Sequence, residues 1–135
     1  MYQTFIEPRV SETDGAGHIN NTTLPIWLEA GRNELFKLFT PDLSFQNWRM
    51  VIVKTTLEFV NQIYYGQEVE VKVWVKRIGN SSLELYEEVH QSGRLCAKNE
   101  VVYVNFNFET QKSEKISEEI KKELENHLYE ESTHV

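Results

Sequence analysis

The sequence predicts a single α+β domain in which one antiparallel sheet packs against a long helix. Three observations carry this. Segments at about 49–60, 67–77, 82–91 and 94–109 alternate apolar and polar residues with period two. The pairs Gly79-Asn80 and Ser92-Gly93 join consecutive segments too tightly for a crossover helix, which excludes parallel pairing of those strands. Residues 22–39 instead repeat their apolar positions at helical spacing. At 135 residues and 40% hydrophobic content, the chain is long enough for one such domain and its core.

Each element follows from its residues. Residues 2–10 form a first strand, with Tyr2, Thr4 and Ile6 on one face; Pro8 points to an edge position or a bulge. Residues 11–21 are dense in Gly, Asn, Asp and Ser and read as a loop. In the helix over 22–39, Leu24, Leu28, Gly31, Leu35, Leu38 and Phe39 define one face. Asn21 or Thr22 can cap its start, Pro25 is tolerated in its first turn, and Thr40-Pro41-Asp42 stops it. Gly31 at mid-helix would let a neighbouring backbone approach. In the strand at 67–77, Val69, Val71, Val73 and Val75 mark a dry face. Ile116, Ile120, Leu124, His127 and Leu128 give a second, amphipathic helix over Ser113–Glu130.

Composition excludes several functions. Twenty-one acidic against 14 basic residues leave a net charge of -7, which repels nucleic acid and anionic lipid. Residues 114–131 hold seven Glu against three Lys, so much of the excess belongs to the C-terminal helix and an acidic tail that runs to residue 135. The lone Cys96 forms no intrachain disulfide, which fits a reducing cytoplasm. No spacing of Cys and His suggests a metal site, and no apolar run suggests export or membrane insertion. A serine-hydrolase elbow and a phosphate-cradling glycine motif are both missing from the sequence. Cys96, within a strand, reads as a core residue, and His90, His127 and His134 are given no role.

The loop Glu12-Thr13-Asp14-Gly15-Ala16-Gly17-His18-Ile19-Asn20-Asn21 is the segment on which chemistry would sit. Together with Trp27-Leu28-Glu29-Ala30-Gly31-Arg32 and Tyr65-Gly66-Gln67-Glu68-Val69-Glu70-Val71, it resembles the hotdog-fold thioesterases, nearest the 4-hydroxybenzoyl-CoA thioesterase-like acyl-CoA thioesterases. The resemblance covers nearly the whole chain. It implies a five-stranded antiparallel sheet wrapped around the long helix, and an acidic residue at Asp14 acting as nucleophile or general base on a thioester carbonyl. It also implies the backbone N–H of Asn21 as oxyanion donor.

The chemistry is sound on its own terms. A carboxylate beside a helix start can attack a thioester or activate water against it, while the unpaired amides and positive dipole end stabilise the oxyanion. Gly15 and Gly17 allow a substrate carbonyl to dock against backbone. His18 either orients Asp14 or a water, or only braces the loop. Asp14 also suits an Asx-turn, and Asn20 and Asn21 suit helix capping. Glu12, two residues from Asp14, reads as structural.

Lys76, Arg77, Ser81 and Ser82 surround a hairpin turn and form either a clamp for the phosphates of coenzyme A or a solvated turn. The expected reaction is hydrolysis of an acyl thioester without metal or redox cofactor. An (R)-type enoyl-CoA hydratase ranks below it, because Asp14 and His18 are four apart with no Asn-Pro between them. A non-catalytic acyl-CoA-binding module is the third reading. The acyl carrier is coenzyme A or an acyl-carrier protein; an acidic carrier protein is repelled unless Lys72, Lys76 and Arg77 form a positive patch. Association into a homodimer or homotetramer is expected, to cover apolar strand faces and edges.

Overall fold

A computed structural model describes residues 1–130; His134 and the rest of the acidic tail at 131–135 lie outside the described residues. The strands are β1 (Tyr2–Ile6), β2 (Met50–Phe59), β3 (Val69–Ile78), β4 (Ser82–Gln91), β5 (Arg94–Asn107) and a two-residue β6 (Lys112–Ser113). They form one curled antiparallel sheet in the order β1-β3-β4-β5-β2, with β6 hairpinned onto β5. Pro8 follows the end of the edge strand β1, which stops at Ile6 rather than residue 10 because Val10–Glu12 turn into a short 3-10 helix. The β4–β5 turn places Ser92 and Gly93 at φ 53° and 74°. Two successive left-handed residues match the right-handed twist of the flanking strands.

The single helix expected over 22–39 is divided. A 3-10 turn at Asn21–Thr23 leads into α1 (Leu24–Gly31), Arg32 departs from helical geometry at φ -96° and ψ 3°, and α2 (Asn33–Phe39) continues the path. The expected apolar face is buried apart from half-buried Leu38, and Trp27, Phe36 and Arg32 are buried with it. Gly31 does permit close approach: a Cβ there would lie 2.7 Å from Val71 Cγ1 on β3. The C-terminal helix is also shorter than expected. It runs as α3 (Glu118–Glu125), with the Ser117 hydroxyl accepting from the Ile120 N–H at 3.2 Å. Residues beyond it are drawn into the sheet, where Val75 N–H donates to His127 O and Tyr129 N–H to Val75 O, both at 2.8 Å. That segment prolongs the edge beyond Tyr2, the start of β1, which protects the backbone of β3.

The helix packs over β1 and β3, where Val69, Val71, Val73 and Val75 are fully buried. At the other end of the sheet β2 is an edge strand with an apolar but open inner face. On that face Ile52 and Phe59 are 45% and 51% exposed.

Candidate active site

The loop before the helix is a small ladder. Thr13 bridges Ile19, Asp14 N–H donates to His18 O at 3.0 Å, and Asn20 N–H donates to Glu12 O at 2.8 Å. A second layer lies alongside: Ile19 N–H donates to Ile63 O at 2.8 Å and Tyr65 N–H to Gly17 O at 3.0 Å. Gln91, buried on β4, locks that layer. Its Oε1 accepts from Tyr64 N–H at 2.9 Å, and its Nε2 donates to Tyr64 O at 2.8 Å and Gln67 O at 3.0 Å. The loop is therefore fixed to the sheet through Ile63, Tyr64 and Gln91, which no sequence pattern marked.

Within this frame, Gly15 and Gly17 take φ 92° and 83°, with open space where a Cβ would stand. They are needed for backbone conformation and leave the surface clear. The Asp14 carboxylate is exposed and accepts from Ala16 N–H at 3.0 Å, an Asx-turn. His18 is brought beside Asp14 by the backbone, but its ring packs edge-on against Tyr64, with centroids 5.1 Å apart. Asn20 is the cap: its Oδ1 accepts from Thr22 N–H at 3.0 Å, and its carbonyl from Thr23 N–H at 2.9 Å. Among the described residues no acceptor reaches the N–H of Asn21, the first residue of the turn. Two groups thus stay open on one laddered loop, an anionic oxygen at Asp14 and an unpaired amide at Asn21.

Glu12 has the structural part expected of it. Burial works to raise its pKa, but hydrogen bonds from Arg9 N–H (2.7 Å), Trp27 Nε1 (2.9 Å) and the Arg9 guanidinium outweigh this and hold the carboxyl below its ordinary value. Cys96 is buried as expected, and burial pushes its thiol up.

Lys76, Arg77, Ser81 and Ser82 are not brought to this loop within one chain. Gln67, just before β3, is tied to the loop's support through Gln91, whereas the Lys76–Ser82 turn lies at the far end of that strand, about 30 Å away. Both cations also have acidic neighbours: Lys76 Nζ lies 2.9 Å from Glu100 and 3.7 Å from Glu84, and Arg77 Nε lies 3.6 Å from Glu84. A concavity away from Asp14 is lined by Ile26 and Phe36 of the helix with Phe45 and Trp48 of the segment after it. Asp14, Gly15, Ala16 and Gly17 stand exposed among the described residues.

Residues 8–124 match the model of the thioesterase-like superfamily. The chain belongs to that superfamily. The family places it among thioester hydrolases, and the curled sheet around a helix is the family's hotdog architecture. The predicted thioesterase from Bacillus stearothermophilus is similar at 59% identity and a TM-score of 0.92, over 96% of this chain and 97% of that one. A thioesterase from Thermus thermophilus, complexed with coenzyme A and Zn, shares the fold at 24% identity and a TM-score of 0.80, over 90% and 95% of the two chains. The uncharacterized protein YsmA of Bacillus subtilis (strain 168) is 29% identical over 120 residues, 88% of this chain and 82% of its own length.

Proposed function

We propose that this superfamily member hydrolyses acyl thioesters of coenzyme A, with Asp14 as general base or nucleophile. The observation that carries the reading is the pairing of an exposed Asp14 carboxylate with the unpaired Asn21 N–H on one laddered loop. As general base, Asp14 takes a proton from water as the water oxygen adds to the carbonyl; as nucleophile, it forms an acyl anhydride that water then cleaves. In either case the carbonyl oxygen takes on negative charge opposite Asn21 N–H, and the C–S bond breaks with loss of thiolate. No metal or redox cofactor enters these steps. His18 braces the loop through Tyr64.

Coenzyme A is favoured over an acidic carrier protein. The net charge is -7, and Lys72, Lys76 and Arg77, the cations able to offset it locally, stand beside Glu70, Glu84 and Glu100. The coenzyme A held by the Thermus fold neighbour is in keeping with this. A contact from Lys76, Arg77, Ser81 or Ser82 to the nucleotide phosphates belongs to a neighbouring copy's site. Two copies associating through β2 would cover its open edge and apolar inner face, and they would wall in the acyl chain.

The test is thiol release from a panel of acyl-CoA substrates. Asp14→Asn is expected to lower kcat by about 10²-fold or more with an unchanged unfolding curve; full activity in that variant would overturn the assignment. Single-turnover hydrolysis in ¹⁸O-water separates the two mechanisms, since only the nucleophilic one leaves label in the Asp14 carboxylate.

A further inference from the structure

A chain of buried polar groups crosses the core and ends on the open inner face of β2. Arg32, at the helix break, donates from Nε to Glu87 Oε2 and from Nη2 to Glu87 Oε1, both at 2.6 Å, and from Nη1 to Tyr103 Oη at 3.0 Å. Asn99 Nδ2 donates to Glu87 Oε1 at 2.7 Å, and Thr55 Oγ1 donates to Asn99 Oδ1 at 2.9 Å. Arg32, Glu87, Asn99 and Tyr103 are all at least 95% buried, whereas Thr55 is exposed.

The register sets Thr55, Leu57 and Phe59 opposite Val101, Asn99 and Ala97, and Ile52 opposite Tyr103, so all four face inward with their buried partners. The Thr55 hydroxyl is thus a polar point in an apolar strip of Ile52, Leu57 and Phe59. The strip runs from Phe59 into residues 60–65, which carry the Asp14 loop.

The direction of every hydrogen bond in the chain is fixed. A guanidinium only donates, so the Glu87 carboxylate accepts. Asn99 must then turn its amide N–H toward Glu87 and its oxygen toward Thr55, and the Thr55 proton is committed to that oxygen. What Thr55 offers to the groove is an acceptor lone pair. A buried ion pair is weak support for stability compared with apolar packing; what this one fixes is the orientation of Asn99 and Thr55.

We infer that Thr55 is a specificity-determining residue that accepts a hydrogen bond from a hydroxyl on the distal part of the substrate's acyl chain. The inference rests on the thioesterase reading and names its substrate class: coenzyme A thioesters of acids hydroxylated far from the carboxyl. Phe59 to Thr55 spans four residues, about 13 Å of strand. The Asp14 loop is held at residues 63–65, beyond Phe59, so the hydroxyl belongs on the far part of a long acyl chain.

The experiment compares uncleavable coenzyme A thioethers with a twelve-carbon chain, unsubstituted or bearing one hydroxyl near the far end, by calorimetry on the full chain. The unmodified protein is expected to bind the hydroxylated probe about tenfold more tightly. Thr55→Val should abolish that ratio and Thr55→Ser should restore it. Equal ratios in the unmodified protein and Thr55→Val would overturn the inference. So would a Thr55→Val variant that changes only the association state of the protein, which would assign Thr55 to contact with a second copy. Because the probes are bound and not cleaved, failure of the Asp14 chemistry appears separately, in the turnover assay.

Discussion

Asp14 and Glu12 lie two residues apart in one loop, and their surroundings give them opposite characters. Glu12 is buried among Arg9 and Trp27 and its pKa is held below the ordinary 4.5; Asp14 stands in solvent. A depressed carboxylate contributes stability that is present above its unfolded pKa and is lost as pH falls through the folded value. Urea unfolding should therefore show Glu12→Gln less stable than the unmodified protein at pH 7, with the gap narrowing as pH drops below about 4.5. A constant gap across that range would mean that Glu12 acts by shape alone. Alternation along the chain does not separate the two, since residues two apart in an extended segment share a face; it is the 3-10 turn at Val10–Glu12 that turns Glu12 inward. The sequence was silent on Gln91, since nothing in a strand residue's local pattern shows that its side chain will hold a segment more than twenty positions away.

At the scale of elements, the helix is shaped by what it packs against. Gly31 lies on β3, so Gly31→Ala should cost about 1–3 kcal/mol through overpacking against Val71, despite the roughly 1 kcal/mol by which alanine favours a helix interior. A stability gain in denaturant would show that the helix can shift without penalty. The break at Arg32 comes from a guanidinium turned inward. Burial works against its charge, yet the hydrogen bonds and charge of Glu87 raise its pKa above the ordinary arginine range. Arg32→Met alone should cost about 3–5 kcal/mol by leaving Glu87 buried without its partner, and the added change Glu87→Leu should recover much of the loss. Equal losses in the single and double variants would locate the cost elsewhere. Helical spacing in the sequence showed the apolar face but not this break, because an arginine among leucines is read as solvated until its partner on β4 is known.

For the whole molecule, a second copy would cover both the open Asp14 loop and the open face of β2. Sedimentation should find a dimer or larger assembly at working concentration, and Ile52→Glu should weaken association and turnover together; a fully active monomer would count against the enclosed acyl channel. The sequence by itself determined the antiparallel sheet, the helical path beneath it and the Asp-Gly loop, because period-two alternation, 3.6-residue spacing and glycine conformation are local properties that adjacent residues enforce. Only the tertiary structure decided that Lys76 and Arg77 lie at the far end of β3 from Asp14, that Gln91 holds the loop, and that a polar chain ends at Thr55. Those facts depend on which strands become neighbours and in what register, and pairing between distant segments leaves no mark on the residues that flank each one.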